Sequence, residues 1–413
     1  MRTVIFTLLF FYGQIACAQD RCAAVAYTQQ LNQTDPSLAL KTSRIEAFLK
    51  EQISVAAKPT GAEASVITIP VVVHVLYNSG ATNISDAQIN SQIAALNRDF
   101  RRRNQDTTNT PDRFKSIATD VQIEFALATA DPYGRPTTGI ERKQSSVNEW
   151  RMDDKIKYSG SGGLNAWDAR NYLNIWVGPL HNLLGYASVL GCAKDIDGVV
   201  ISTSAFGTIG ITTTYNMGRT AVHEVGHWLG LKHIWGDTYC GDDLVDDTPK
   251  QGNFTSGCPS GFRSSCSNGS QGDMYMNFMD FTNDACMNLF TEGQAQRMLA
   301  LFAQAGPRAS LLVSKGLKQP WTAAAPIDEE VPAKNTATFY PNPAAGELNI
   351  SFERDLSWVG QTLTIVNQNG VPVTRILIKT KIQKVSVGAL PPGVYFIQGQ
   401  NGRDKLSQKL IKL

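Results

Sequence analysis

The chain has 413 residues, 42% of them hydrophobic and 18% charged, which excludes a disordered tail or a membrane bundle and leaves room for two or three globular domains. Lys plus Arg number 38 against 36 for Asp plus Glu, a formal net charge of +2, so the charge carries no nucleic-acid footprint. Arg101-Arg102-Arg103 reads as a solvated helix end rather than a phosphate site.

In chain order, Arg2, the apolar run Val4 to Tyr12 and the small residues Ala16-Cys17-Ala18 read as an export signal over 1–18, cut after Ala18. Its apolar stretch is too short to anchor in a bilayer. A lipid anchor on Cys17 would want an aliphatic residue where Gln14 stands. No other stretch is long and apolar enough for a transmembrane segment. Cleavage leaves Cys22, Cys192, Cys240, Cys258, Cys266 and Cys286. In an exported chain disulfides are their default state, although spacing alone does not pair them.

Residues 19–62 are polar and alanine-rich, with a predicted helix over 43–52, and they end in Lys58-Pro59-Thr60-Gly61-Ala62. They read as a pro-segment with a cleavable joint. A catalytic domain is expected over 63–318. Its first strand comes from the β-branched run Val66 to Tyr77, starting after Pro70, with His74 as an ordinary strand residue rather than a ligand. The next helix has Ser85 as N-cap, Gln88 as partner in a capping box, and Ile84 with Ile89 as a hydrophobic staple. Ile89, Ile93, Leu96 and Phe100 continue its apolar stripe. Val121 to Ala128, Tyr172 to Val177 and Asp197 to Ser202 read as further strands, and Asp131-Pro132-Tyr133-Gly134 as a turn. Strands and helices in this order give a mixed α/β or α+β fold class.

A helix over 219–230 carries the chemistry. His223 and His227 stand at i and i+4, so both imidazoles leave one face and can share a metal. Gly230 can end the helix in a left-handed conformation and return the chain with His233 as third ligand. Three neutral imidazoles leave one position of a tetrahedral zinc open, the pattern of a catalytic site. The open position would hold a water, and Glu224, next to the first ligand, can take its proton. A Cys22 thiolate in that position would keep the protein latent, since thiolates bind zinc well. The alternative is a plain thiol or a disulfide with Cys192.

Downstream, Asp242, Asp246, Asp247 and Thr248 belong to an aspartate-dense loop whose hard oxygens suit Ca2+, with an ordinary acidic loop as the other reading. A helix is predicted over 291–305. Residues 319–336 read as a linker, and 337–413 as a small C-terminal β-sandwich of about seven short strands, with turns at Asn369-Gly370 and Pro391-Pro392-Gly393.

His223 to His233 resembles the extended zinc motif of the metzincin metallopeptidases, with Met279 where their Met-turn methionine lies beneath the metal. The finer resemblance is to the pappalysin branch, of the ulilysin or cytophagalysin type. It is carried by Ile69 to Tyr77, Gly218-Arg219-Thr220, Val245-Asp246-Asp247-Thr248-Pro249, Asn277-Phe278-Met279-Asp280, Asp284-Ala285-Cys286-Met287, Phe290-Thr291, Gln294 and Arg297-Met298. The resemblance implies a twisted-sheet upper subdomain over an irregular lower one, with a cleft between. It implies zinc on His223, His227 and His233 with Glu224 as general base, calcium near the aspartate loop, and disulfides Cys240 with Cys266 and Cys258 with Cys286. It also implies that Asp284 offers a counter-charge to a basic residue after the scissile bond of a protein or peptide substrate. One departure stands out: Phe281 replaces a tyrosine able to hydrogen-bond the reacting carbonyl, a loss worth on the order of 10²-fold in rate where such a donor acts in the transition state.

The tail resembles the type A sorting domain of the Bacteroidetes type nine secretion system, through Tyr340-Pro341-Asn342-Pro343, Leu390 to Tyr395 and Lys409 to Leu413. A carbohydrate-binding or adhesive sandwich is the other reading. The expectation is a zinc endopeptidase made as a latent precursor, its C-terminal domain taken up by secretion machinery and its working place outside the cell or on its surface. The competing expectation is a non-catalytic zinc-containing surface adhesin.

Overall fold

The computed structural model describes residues 21–56, 65–320, 337–352, 358–401 and 404–413. The expected export signal, the joint at 58–62 and all but the first two residues of the linker lie outside them.

Strand β1 (Ile67–Tyr77) is the centre of the first sheet, because its richness in β-branched residues suits a strand buried on both faces. It pairs in parallel with β2 (Ile123–Leu127) and β3 (Ile140–Gln144), one after the other along one edge, and with β4 (Leu173–Gly178) on the other. The sheet continues through β6 (Val199–Ser202) to β5 (Gly185–Ala187), the one antiparallel member, which forms the edge. β1 starts three residues before Pro70, not after it. The missing N–H costs little there, since pairing with β4 begins only at Val71.

Side chains alternate between the faces. Val71, Val73, Val75, Ile175 and Ile201 meet α3 (Asp86–Phe100) and α5 (Arg219–Trp228) through Ile89, Leu96, Phe100, Val222 and Val225. Leu76, Trp176, Tyr186 and Val200 face the other way, into a cluster with Trp150 and Ile156. Ser85 caps α3 as expected by accepting from Gln88 N–H at 3.1 Å. The capping box is not closed, because Gln88 Nε2 donates instead to Phe206 O at 2.8 Å. His74 is a satisfied strand residue, its ring nitrogens paired with Glu141 and Asn174.

Residues 21–56 form two helices, α1 (Ala24–Thr34) and α2 (Leu38–Ala56), where one shorter helix is expected. Tyr27, Leu31 and Leu38 complete the Trp176 cluster, and Leu49 joins the other core. Below the sheet the chain is largely irregular, apart from the short α4 (Asp112–Lys115) and α6 (Glu292–Ala300). Thr291 opens α6 with a complete capping box to Gln294. Disulfides join Cys240 to Cys266 and Cys258 to Cys286, while Cys22 and Cys192 are free.

The C-terminal part is an antiparallel sandwich. β9 (Thr362–Asn367), β10 (Pro372–Leu377), β12 (Gly393–Asn401) and β13 (Asp404–Lys412) form one sheet, and β7 (Thr338–Tyr340), β8 (Glu347–Ser351) and β11 (Ile382–Ser386) the other. Leu348, Ile350, Trp358, Leu363, Ile365 and Ile397 fill the space between. Among the described residues no helix is long and apolar enough to cross a membrane.

Candidate metal centre

The site is built on α5. Gly218 enters it at φ 75°, a left-handed conformation that favours glycine, and Arg219 then pins the first turn. Its buried guanidinium donates to Asp99 at 3.1 Å, to Asp106 at 2.6 Å and to the Asp284 carbonyl at 2.5 Å. Burial works against the charge, but the paired carboxylates prevail and raise the Arg219 pKa. One side chain thus ties the metal helix to α3 and to the lower part of the molecule.

One turn further, His223 and His227 leave the same face. Gly230 ends the helix at φ 82°, and the chain returns through Leu231 to His233. His227 Nε2 lies 3.1 Å from both His223 Nε2 and His233 Nε2. Each Nδ1 faces an oxygen acceptor: Phe278 O at 2.7 Å, Leu231 O at 2.9 Å and the Asp237 carboxylate. The protons therefore sit on Nδ1, and three Nε2 lone pairs point at one spot with no N–H between them. Such an arrangement calls for a cation. Burial, then the neighbouring imidazoles, holds His223 well below the usual histidine range and His227 down to about 3, so both stay neutral, as ligands must. The Cys22 thiol joins the three imidazoles, all four donor atoms lying within 4.8 Å of one another. Nitrogen and sulfur donors in this number fit zinc.

Glu224 is fully buried beside this cluster, and its carboxylate oxygens have no hydrogen-bond partner of ordinary geometry among the described residues. Burial raises its pKa to about 8. The Cys22 thiol lies against it, and burial, then the Glu224 charge, raises the thiol pKa well above its ordinary value. On the other side Gly185 of β5 passes so close that a Cβ there would sit 2.9 Å from Glu224 Cγ.

Met279 lies under the helix, where a Cβ on Gly226 would come within 2.6 Å of its Sδ. Trp235 stacks on His233 at 4.3 Å between ring centres. Phe281 stands 4.9 Å from His233 and 5.6 Å from His223, so it walls the site without offering a donor. Asp284 is fully buried and accepts from Met217 N–H at 2.9 Å, Arg219 N–H at 3.1 Å and the Arg21 guanidinium at 3.3 Å. Arg21, the residue before Cys22, thus occupies the carboxylate expected to receive a basic side chain.

The aspartate loop is held by hydrogen bonds of its own. Asp247 accepts from Thr291 Oγ1 and Gly293 N–H at the start of α6, Asp242 accepts from Leu244 N–H, and Thr248 donates to Asp243. Among the described residues the convergent His, Cys, Asp and Glu donors form one group, the one containing Cys22. Arg21, Gly185, Gly226 and Asp237 join the site without being among the residues expected from sequence. Only Asp237 had a local signal, four residues after His233 and able to orient it.

Comparison with known proteins agrees with this geometry. A family model described as pregnancy-associated plasma protein-A matches residues 163–303, and one described as a secretion system C-terminal sorting domain matches residues 338–413. An extracellular metalloprotease of Arthroderma benhamiae is 31% identical over 306 residues, covering 72% of this chain and 95% of its own. Among solved structures, a Tannerella forsythia promirolysin mutant is 46% identical, with a TM-score of 0.65 over 71% of this chain and 97% of that one. Mirolysin in complex with a compound is 50% identical, with a TM-score of 0.61 over 63% of this chain and 100% of that one.

Proposed function

The chain belongs to the pregnancy-associated plasma protein-A family of metallopeptidases, and from that premise we propose that this secreted zinc metalloendopeptidase is made latent and works with Glu224 as its general base. The family decides between the enzyme and the inert adhesin considered from Phe281 alone. Supporting the mechanism is one observation above the others: three Nε2 lone pairs converge next to a buried carboxylate that lies against the Cys22 thiol.

His223, His227 and His233 would hold the zinc, which when bound supplies Lewis-acid polarisation of the scissile carbonyl and acidifies water. Glu224 takes the proton of the attacking water and then delivers it to the leaving amine, a task suited to a carboxyl whose burial brings its pKa near neutrality. The Nδ1 acceptors keep the imidazoles in the required tautomer and orientation. Phe281 gives no hydrogen bond to the developing oxyanion, so stabilisation there falls to the metal.

Latency is proposed to come from Cys22 as a fourth zinc ligand and from Arg21 on Asp284. In the active enzyme Asp284 would receive a basic side chain that follows the scissile bond. The sorting domain is proposed to engage secretion machinery. Calcium at the loop of Asp242, Asp246, Asp247 and Thr248 rests on carboxylate density alone.

Two variants test the reading. Glu224→Ala should keep zinc and fold while losing casein cleavage, and undiminished cleavage would refute the base. Cys22→Ala should let the uncut precursor cleave a short peptide, whereas silence equal to wild type would remove the thiol from latency.

A further inference from the structure

Tyr27 is a fully buried side chain of α1, and the pocket that holds it is built almost wholly by the catalytic domain. Its hydroxyl lies 2.6 Å from both carboxylate oxygens of Asp154 and accepts from Lys157 Nζ at 3.0 Å. Lys157 is itself fully buried, with Nζ 2.9 Å from Asp154 and donating to Ile196 O at 2.9 Å. The Tyr27 ring packs 4.8 Å from Tyr186, whose own hydroxyl is buried without a hydrogen-bond partner. Lys157 lies over the rings of Tyr27, Trp176 and Tyr186, 4.9 to 5.4 Å from their centres.

A buried lysine and aspartate converging on one phenol hydroxyl, inside an aromatic wall, are an expensive arrangement to keep for packing alone. The pocket also adjoins the catalytic cleft. Tyr186 follows Gly185 on the edge strand, and Gly185 touches Glu224. Gly185 O accepts the N–H of Ala23 at 3.2 Å, so the segment that carries Cys22 runs along this edge before α1 places Tyr27. Along the chain Arg21 and Tyr27 stand on opposite sides of the thiol. Since Asp284 takes the residue after the scissile bond, the Tyr27 pocket belongs to residues before it.

We propose that Asp154, Lys157, Tyr186 and Trp176 form a substrate subsite for a tyrosine side chain upstream of the scissile bond, which Tyr27 fills in the precursor. This rests on the reading of the chain as a latent peptidase. A substrate running along the β5 edge turns alternate side chains to opposite sheet faces, and one of them would enter from the edge where α1 now sits. Its hydroxyl would meet the same two charged groups, whereas a phenylalanine would leave Lys157 and Asp154 paired with each other but each one hydrogen bond short.

The test uses the zinc-loaded full chain, cut in its 57–64 connection and freed of the released segment. It is offered peptides with Arg after the scissile bond and Tyr or Phe at each of the four preceding positions in turn. At one position kcat/KM should favour Tyr over Phe by at least about tenfold, and Lys157→Met should bring that ratio close to one. Because the peptide is varied as well as the enzyme, poor folding of Lys157→Met does not decide the outcome. Equal cleavage of Tyr and Phe peptides at every position overturns the subsite and leaves the peptidase reading standing. No cleavage of any peptide overturns both.

Discussion

Gly226→Ala sets two effects of opposite sign against each other at the metal helix. Alanine is the better helix former by about 1 kcal/mol at an interior position, and Gly226 lies inside α5. The new methyl, however, would stand 2.6 Å from Met279 Sδ and 3.4 Å from its Cε, the first roughly 1 Å short of favourable contact. Met279 is fully buried among Phe278, Met287 and Leu231, so its side chain has no solvent to swing into. Overpacking of this kind costs about 1–3 kcal/mol, which leaves a net loss of about 0–2 kcal/mol, or a few degrees in Tm at about 2–4 °C per kcal/mol. His223 and His227 flank the substitution, so any displacement of α5 from Met279 also moves two of the proposed zinc ligands. Zinc affinity measured by chelator competition should fall about tenfold, as for other disturbances behind a metal's ligands. Met279→Ala makes room for the methyl, so the double variant should lose less than the sum of the single losses. A Gly226→Ala protein with higher Tm and unchanged zinc affinity would refute the placement of Met279 beneath the ligands.

Two further outcomes follow from buried charge. Arg219→Lys keeps the charge but cannot span Asp99, Asp106 and the Asp284 carbonyl together, so stability to denaturant should fall by about 3 kcal/mol; a loss under about 1 kcal/mol would mean that the fork does not hold the helix start. Burial raises the Asp243 carboxyl to about 7, against hydrogen bonds from Thr248 and Val245. Between about pH 4 and 7 the unfolded chain has released this proton while the folded chain still holds it, so rising pH lowers stability through that window by at most about 4 kcal/mol. Urea unfolding should show a shallower fall for Asp243→Asn than for wild type, and parallel curves would refute the assignment. Calcium held by the loop would favour the carboxylate and flatten the wild-type curve.

What was legible in the sequence depends on how far apart the interacting residues lie. The imidazole spacing, the glycine stop and the Ser85 cap each act within a turn or two of helix, so local geometry decides them. β1 was legible because a run of Val and Ile has few other places to go. Its start was misplaced because Pro70 reads as a strand breaker, whereas the sheet supplies a stretch where the lost donor is not needed. α1 escaped notice, since its buried face is only Ala24, Tyr27 and Leu31 among polar residues and is defined by the cluster it completes. β5 is three residues long, too short to show a period. Arg21 and Asp284 are 263 positions apart, and nothing near either residue announces the other. In the aspartate loop the sequence shows the carboxylates but not their distant partners: Asp247 accepts from Thr291 and Gly293 at the start of α6.

The same distance dependence bears on activation. The proposed pro-segment is held at Arg21 and Cys22 in the cleft, at Glu46 through an ion pair with Arg297 at 2.6 Å, and by Tyr27, Leu31, Leu38 and Leu49 in two hydrophobic clusters. Arg297 also donates to Gly230 O at 2.8 Å, so the outer anchor reaches the turn that returns His233. A cut between 57 and 64 breaks none of these contacts. It removes only the tether, whose effect is an effective concentration of the order of millimolar for a short linker. The severed segment would therefore remain a competitor for the β5 edge and dissociate at a rate set by its remaining contacts. Full activity then lags behind the cut until the segment has left. Glu46→Ala, which removes an anchor remote from the thiol, should shorten the lag between the first cut and full peptidase activity, and an unchanged lag would show that the cleft contacts alone govern release.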